Sequence, residues 1–307
     1  MAQSTNPHNV PTIDYAEHRW VELRGAKHCY LEAGTGDKTV LLLHGYPDNA
    51  YSWEHQIRFL SDKGYRVLVP FTRGYPPTQV ADGAYFDRAT LASDVDQLIE
   101  ALNDGEPVDL VGQDWGAAIS YGVLAAFPQR IRRAVLLAVP HPVEIRRTLR
   151  RSPKHAVRSF HWFLFQLPAI PELLIRGSRG GFLRFLWRLW SPAFDDAAHV
   201  DQVVETMLSG RSVEETLSYY RAALQPKFRD PALSGVFSKL DDVITVPTRV
   251  LCGEQDMRRE MLSRQGDLFD ASATYEWETV PDSGHFLHRE KPDIVNERIL
   301  DWITRPA

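Results

Sequence analysis

The sequence predicts an α/β protein in which a mostly parallel sheet is flanked by helices and interrupted by a helical insertion. Two observations carry this prediction. Short apolar runs alternate with longer helical patterns in both end regions of the chain, which is typical of strand–helix–strand units in a parallel sheet. Between Pro140 and Val246 the alternation stops, and roughly a hundred residues show only helical patterns rich in aromatic residues.

Eight apolar runs are predicted as strands, and the first two form an antiparallel entry to the sheet. The predicted strands are Trp20–Leu23, His28–Glu32, Thr39–Leu43, Arg66–Val69, Val108–Val111, Ala134–Ala138, Thr248–Cys252 and Thr274–Thr279. The predicted helices outside the insertion are Ser52–Leu60, Thr90–Asn103, Trp115–Phe127, Met257–Phe269 and Pro292–Thr304. The elements divide the chain into a core, residues 1–139 and 236–307, and an inserted helical unit, residues 140–235.

The composition is that of an ordinary globular protein, with 44% hydrophobic and 24% charged residues. A net charge of −5 does not favour nucleic acid or an anionic membrane as a partner. The polar segment Met1–Val10 and the lack of a long apolar run predict neither a secretion signal nor a membrane span. Cys29 and Cys252 lack a metal-type spacing, so we expect free buried thiols and a cytoplasmic location.

The segment Gly112–Gly116, which reads GQDWG, predicts a sharp turn between a strand and a helix. Such a turn holds its central side chain in a strained conformation at the top of a sheet, and glycines allow the strand and the helix to approach closely. The central residue is Asp114. A carboxylate is ionised at neutral pH and needs no base to activate it, so it suits displacement at an sp³ carbon through an enzyme ester.

Three further sites complete a catalytic constellation. Tyr46 follows a His-Gly pair after a predicted strand, and its backbone N–H and that of Trp115 could form an oxyanion hole. Asp256 follows a late strand, where it is either an acid partner or a helix N-cap, with Glu254 as a local rival for the acid role. His285 follows Asp256 in the chain, and this order of nucleophile, acid and histidine indicates a general base.

The segments around these residues resemble those of a known protein family. The motifs HGYPDNAYSW, GQDWGAA, GEQD and DSGHF resemble the α/β-hydrolase fold with a helical cap, in the branch that uses an aspartate nucleophile. That branch includes epoxide hydrolases, haloalkane dehalogenases and fluoroacetate-type dehalogenases. The resemblance implies an eight-stranded sheet, a catalytic group of Asp114, Asp256 and His285, and no metal or organic cofactor.

The insertion distinguishes these activities, because an epoxide oxygen needs a proton donor and a halide does not. The segment containing Phe165-Gln166 resembles the one that carries the first ring-opening tyrosine of epoxide hydrolases, and His161 stands at that place. A second segment resembles the one that carries the other tyrosine, at Tyr220, although the adjacent Tyr219 could face the pocket instead. We expect Trp162, Tyr219 and Phe286 to contact the substrate.

The resemblance favours an epoxide hydrolase that converts a small apolar epoxide and water to a vicinal diol, as a possible homodimer. A haloalkane dehalogenase is the alternative, because Trp115 and Trp162 could bind halide, but Tyr46 is more typical of epoxide hydrolases. A fluoroacetate-type dehalogenase is less favoured, because Trp115 and Ala118 stand where such enzymes carry arginines that bind carboxylate. A non-catalytic ligand-binding relative is disfavoured by the complete triad.

A basic cluster in the insertion is predicted to be a solvated helix face. Its members are Arg146, Arg147, Arg150, Arg151, Lys154 and Arg158.

Overall fold

The structure, a computed structural model, describes residues 13–306 of the 307-residue chain. The segment Met1–Val10, in which we expect no secretion signal, lies outside the described residues. One sheet forms the core, with the strand order β1-β2-β4-β3-β6-β7-β8-β9 and with β5 paired to β2. The strands are β1 (Glu17–Leu23), β2 (Ala26–Ala33), β3 (Lys38–Leu43), β4 (Tyr65–Pro70), β5 (Gln79–Val80), β6 (Val108–Gln113), β7 (Ile131–Leu137), β8 (Thr248–Gly253) and β9 (Tyr275–Val280).

The direction of the strands confirms the predicted sheet. Strand β2 runs antiparallel to β1 and β4, and every neighbouring pair from β4 to β9 is parallel. All eight predicted strands are present, with ends shifted by up to three residues. The ninth strand, β5, was not predicted, because a two-residue pairing with Ala26 and Lys27 leaves no periodic pattern in the sequence.

Helices cover both faces of the sheet, as expected for parallel strands that are apolar throughout. The helices of the core are α1 (Glu54–Asp62), α2 (Arg88–Leu102) and α3 (Trp115–Ala126) before the insertion, and α12 (Arg259–Leu262), α13 (Leu287–Glu290) and α14 (Pro292–Ile303) after it. Helix α3 is buried over most of its length, because its small and apolar residues allow it to pack directly on β6.

The chain between β7 and β8 is helical, and we call this segment the helical insertion. Its members are α4 (Pro142–Arg151), α5 (Pro153–Arg158), α6 (Phe160–Leu164), α7 (Ile170–Gly177), α8 (Gly181–Trp190), α9 (Ala197–Leu208), α10 (Ser212–Leu224) and α11 (Ser234–Phe237). Buried polar contacts attach it to the core. The Trp187 indole N–H donates to the Pro47 carbonyl at 3.0 Å, and His199 Nε2 lies 2.9 Å from Asp48 Oδ1.

One predicted helix is wrong. Where Met257–Phe269 was expected to be helical, the structure has only the single turn α12 and a short 3₁₀ turn, Gly266–Leu268. The buried side chain of Gln265 explains the difference. It accepts a hydrogen bond from the His141 N–H at 2.6 Å and donates to the Tyr275 hydroxyl at 2.8 Å, and Gly266 disfavours helix continuation.

No helix among residues 13–306 combines the length and the apolar character that a membrane span requires.

Candidate active site

Asp114 lies at a sharp turn between β6 and α3. Its backbone φ of 50° and ψ of −115° are strained for a residue with a side chain. The neighbouring glycines make the turn possible, because a Cβ on Gly116 would lie 2.0 Å from the carbonyl oxygen of Leu43. The predicted elbow is therefore present, and it presents a carboxylate at the carboxyl edge of the sheet.

His285 lies between two carboxylates. Its Nε2 is 3.2 Å from Asp114 Oδ2, and its Nδ1 is 2.7 Å from Asp256 Oδ2. All three side chains are buried. Because an ionised carboxylate only accepts hydrogen bonds, Asp256 holds the Nδ1–H tautomer and directs the imidazole toward Asp114.

Asp256 is both the partner of the histidine and a turn cap, because its two carboxylate oxygens have different partners. Oδ2 faces His285, and Oδ1 accepts the Arg258 backbone N–H at 2.7 Å, which is the contact expected of a turn cap. Glu254 makes no such contact with the histidine; its carboxylate accepts from the Asp282 N–H at 3.4 Å.

The two oxygens of Asp114 also differ. Oδ1 accepts the Tyr46 backbone N–H at 2.9 Å, whereas Oδ2 faces His285. Trp115 is the first residue of α3, so its N–H has no acceptor within the helix. The arrangement suits a carboxylate whose Oδ1 gathers negative charge while Oδ2 reacts.

The charges in this group are coupled. Burial would raise the pKa of Asp114, but the His285 hydrogen bond, the nearby guanidinium of Arg258 and the Tyr46 N–H lower it overall. Burial would lower the pKa of His285, but hydrogen bonds to Asp114 and Asp256 outweigh burial and raise it. Asp114 is therefore held as the anion, and its charge favours the protonated imidazole.

Arg258 is a member of this site that the sequence analysis missed. Its side chain is buried, with Nη1 3.1 Å from His285 Nδ1 and 3.7 Å from Asp256 Oδ2. The guanidinium lowers the pKa of His285 and that of the buried His161. The only signal in the sequence was its place two residues after the predicted acid.

His161 and Tyr220 are brought close together, with ring centroids 5.9 Å apart. Burial, together with Arg258, lowers the pKa of His161 to about 3, so the ring is neutral at neutral pH. Burial raises the pKa of Tyr220 well above 10, and the charge of Asp114 adds to this, while a hydrogen bond with the Trp115 side chain opposes it. Both rings can therefore donate a hydrogen bond and neither carries a charge.

A cavity extends from this group between the core and the helical insertion. Its volume is about 620 Å³, within the size range of small-molecule sites. Asp114, Trp115, His161, Trp162 and Arg258 line one part of it. Tyr220 is not part of the wall, but its ring contacts Trp115, His161 and Trp162, which are.

Two predicted substrate contacts are not supported by the geometry, because Tyr219 and Phe286 do not line this cavity. The Tyr219 hydroxyl donates to the Arg73 carbonyl at 2.5 Å, which fixes α10 on the core. The Phe286 ring stacks on Trp187 with centroids 3.5 Å apart, which fixes α8 on the core. Both are fully buried in contacts between the insertion and the sheet domain. Adjacent residues on a helix point in different directions, which separates Tyr219 from Tyr220.

Comparison with known proteins identifies the family. Residues 38–292 match the family model for the alpha/beta hydrolase fold. The chain is 30% identical to Epoxide hydrolase 3 of Xenopus tropicalis over 94% of its own length and 78% of the frog protein. It is 27% identical to the AB hydrolase superfamily protein YfhM of Bacillus subtilis, covering 95% and 99% of the two chains.

A solved structure gives the same result. Epoxide Hydrolase A from Mycobacterium thermoresistibile superposes with a TM-score of 0.76 at 26% identity, covering 94% of this chain and 98% of that one. The strained aspartate elbow, the histidine between two carboxylates and these matches agree with one another. The chain therefore belongs to the alpha/beta hydrolase fold family, in which it is epoxide-hydrolase-like.

Proposed function

We propose that this protein is an epoxide hydrolase that opens an apolar epoxide through an ester on Asp114. Two observations carry the proposal: His285 lies 3.2 Å from Asp114, and two neutral donors, His161 and Tyr220, lie side by side and sense the charge of Asp114. The donors suit an oxygen leaving group, which must gain a proton. The names of the relatives support the same reaction.

In the first step, Asp114 Oδ2 attacks one epoxide carbon, and the bond from that carbon to the ring oxygen breaks. The electron pair of that bond goes to the oxygen, which takes a proton from the Tyr220 hydroxyl. His161 stabilises the developing charge through an N–H. Tyr220 is a weak acid here, but an alkoxide is a stronger base than a phenolate, so the proton transfer is favourable.

Formation of the ester prepares the second step. Esterification removes the negative charge of Asp114, and that charge is one cause of the raised pKa of His285. The pKa of His285 therefore falls when the intermediate forms, and the imidazole becomes a neutral base. It takes a proton from water, the hydroxide attacks Cγ of Asp114, and the N–H groups of Tyr46 and Trp115 stabilise the oxyanion on Oδ1. Collapse of this oxyanion breaks the bond between Cγ and Oδ2, and the departing oxygen takes the proton held by His285, which releases the diol. The proton of the new Asp114 carboxyl group then passes to the Tyr220 phenolate, so Asp114, His285 and Tyr220 regain their starting protonation states.

The experiment that tests the proposal is hydrolysis of styrene oxide, followed by a single turnover in ¹⁸O-labelled water with enzyme in excess. We expect a vicinal diol without the label and one labelled oxygen in the peptide that contains Asp114. A labelled diol would show direct attack by water and would refute the ester. An Asp114→Asn variant should be inactive, and a His285→Gln variant should retain the substrate as added mass on Asp114.

Haloalkane dehalogenation is the second candidate, because Trp115 and Trp162 stack beside the cavity with ring centroids 5.7 Å apart. The Trp115 side chain is a hydrogen-bond partner of Tyr220, which leaves it less available to a halide. Bromoalkanes tested alongside styrene oxide separate the two reactions. Bromide release without any diol from the epoxide would favour the dehalogenase.

We also propose that the helical insertion acts as a cap that excludes water from the site, with the domain division at residues 140–235. A cytoplasmic location is supported by the buried free thiols of Cys29 and Cys252. A homodimer is supported by exposed apolar side chains on α6 to α8, such as Phe163, Leu173 and Phe185. Light scattering on the purified protein would report its mass in solution.

A further inference from the structure

The cavity wall carries an excess of positive charge that the proposed reaction does not use. Besides Arg258 and Asp114, four arginines and one aspartate line it: Arg88, Arg146, Arg150, Arg229 and Asp241. They belong to α2, α4, the segment after α10 and the segment after α11. Arg146 and Arg150, which were predicted to lie on a solvated helix face, are exposed, and both also line the cavity.

In the part of the chain that the structure describes, Asp241 forms ion pairs with two of these arginines. Its Oδ1 accepts from Arg88 Nη1 at 3.2 Å, and its Oδ2 accepts from Arg146 Nη2 at 2.6 Å. The Arg88 Nη2 group donates to the Leu240 carbonyl at 3.1 Å, but its Nε is buried with no partner among the described residues. A buried N–H without an acceptor is unfavourable, so the cluster is electrostatically incomplete.

Arg150 and Arg229 have no carboxylate partner among the described residues. Arg229 Nε makes a long contact of 3.4 Å with the Ala222 carbonyl, and its guanidinium lies 4.2 Å from the centre of the Phe237 ring. Within residues 13–306, no salt bridge involves either arginine. Four guanidinium groups therefore face a single carboxylate, an excess of three positive charges.

The positions of these side chains indicate the shape of a ligand. Arg146 and Arg150 are exposed, whereas Arg88 is only 10% exposed, so the cluster extends from the cavity mouth inward. The rest of the wall is largely apolar, with Val139, Ile145, Leu149, Ala223, Leu224 and Met261 among its members. None of the four arginines contacts the group of Asp114, His285 and Asp256 in the described residues. A ligand that fits has an apolar body and an anionic end.

We propose that Arg88, Arg146, Arg150 and Arg229 form an anion-binding subsite that holds the carboxylate of an epoxide-bearing organic acid while its apolar chain reaches Asp114. Guanidinium groups bind carboxylates through paired N–H donors, and the half-buried position strengthens this interaction relative to bulk water. The identity of the acid as a substrate rests on the proposed epoxide-hydrolase function. The anion-binding subsite itself is a property of the cavity.

The experiment compares two substrates of the same length: the terminal epoxide of undecenoic acid and that of undecenamide. We expect the full-length enzyme to favour the acid in kcat/KM by about tenfold, since one charge-assisted pair contributes on this order. In an Arg146→Gln/Arg229→Gln double variant this ratio should fall toward one, mainly through a higher KM for the acid. The matched control is Arg147→Gln, because Arg147 lies on the same helix, pairs with Asp267 and does not line the cavity.

A binding measurement tests the anion-binding subsite even if the enzyme turns over neither epoxide. Undecanoate and undecanamide, which carry no epoxide, are titrated into the wild type and the double variant by calorimetry. We expect tighter binding of undecanoate, weakened by added salt and lost in the double variant. Equal affinities, or equal kcat/KM for the acid and the amide epoxide, would overturn the subsite and leave the epoxide hydrolase standing. Turnover of neither epoxide, together with selective undecanoate binding, would refute the proposed function alone.

Discussion

Arg258 places its guanidinium nitrogen 3.1 Å from Nδ1 of His285, the same ring nitrogen that faces Asp256 at 2.7 Å. The histidine thus has a cation and an anion on one side. Because the Nδ1–H group of His285 donates its hydrogen bond to Asp256, Arg258 acts on the imidazole through its positive charge. It lowers the pKa of His285 and opposes the two carboxylates that raise it.

An Arg258→Met variant should therefore raise the pKa of His285. The neutral imidazole is the base in ester hydrolysis, so the acid limb of the pH profile should move to higher pH. We expect adduct decay in single-turnover experiments below neutral pH to slow by roughly tenfold, within the usual size of general-base effects. Arg259→Gln is the control, because the exposed Arg259 side chain donates a hydrogen bond to the Glu254 carbonyl and not to the catalytic group. An unshifted acid limb would contradict this role for Arg258.

Tyr220→Phe should slow ring opening while leaving the fold intact. Loss of the proton donor should lower the rate of ester formation by about 100-fold or more. Tyr219→Phe is the matched control, because the Tyr219 hydroxyl donates to the Arg73 carbonyl, whereas the Tyr220 ring contacts His161. That variant should keep its rate of ester formation and lose about 1 kcal/mol of stability. The reverse pattern would show that Tyr219 is the donor.

The free energy of unfolding should fall as the pH decreases below about 6.5. Burial lowers the pKa of several histidines, to about 4 for His44 and about 3 for His141, His161 and His288. In this range the unfolded chain protonates them and the folded chain does not. The unfolded state therefore binds more protons, and each such histidine should cost about 2 kcal/mol of stability near pH 5. Urea unfolding at a series of pH values measures this.

His141→Asn isolates one of these contributions. The His141 ring nitrogen accepts the Val143 N–H at 3.1 Å as the cap of α4, and asparagine is a good residue at that position. The variant should fold and should lower the pH slope by about one proton. His285 acts in the opposite sense, because its raised pKa gives stability at low pH that is lost as the pH rises. A wild-type stability that is constant between pH 7 and 5 would contradict the prediction.

Gly116→Ala should strongly destabilise the protein. A Cβ would lie 2.0 Å from the Leu43 carbonyl oxygen and 2.8 Å from that of His44, and both belong to a backbone that cannot move aside. We expect a loss of about 3 kcal/mol, at the upper end of overpacking effects. Gly177→Ala in α7 is the control, since no described atom outside the neighbouring residues and backbone of its own helix lies within 4 Å of the added Cβ. Equal unfolding midpoints in urea for the two variants would refute the argument.

Local patterns were enough to predict most of the fold. The alternation of apolar runs and helices predicts the parallel sheet, and the glycines around Asp114 predict the elbow. The predicted helix after Asp256 fails because a buried glutamine, Gln265, makes long-range hydrogen bonds that no local pattern reports.

The site was predicted less completely than the fold. Asp114, Asp256 and His285 follow an order along the chain that can be read directly. The roles of Arg258 and of the arginines in the cavity wall depend on which side chains and which cavity they face, and this is known only from the three-dimensional structure. Phe286 was misread for the same reason, because an aromatic residue beside a predicted base can pack against the insertion as easily as against a ligand.

The attachment of the helical insertion has a consequence for how the product leaves. On the side of α8 to α10, buried hydrogen bonds fasten it to the core, including the one from Trp187 to Pro47. On the side of α4, a buried hydrogen bond from the His141 N–H to Gln265 holds the start of the helix. The rest of α4 is held by two ion pairs that water can reach, Arg146 with Asp241 and Arg147 with Asp267. The contacts of α4 with the core are thus more accessible to water than those of α8 to α10. We therefore expect the diol to leave the cavity beside α4.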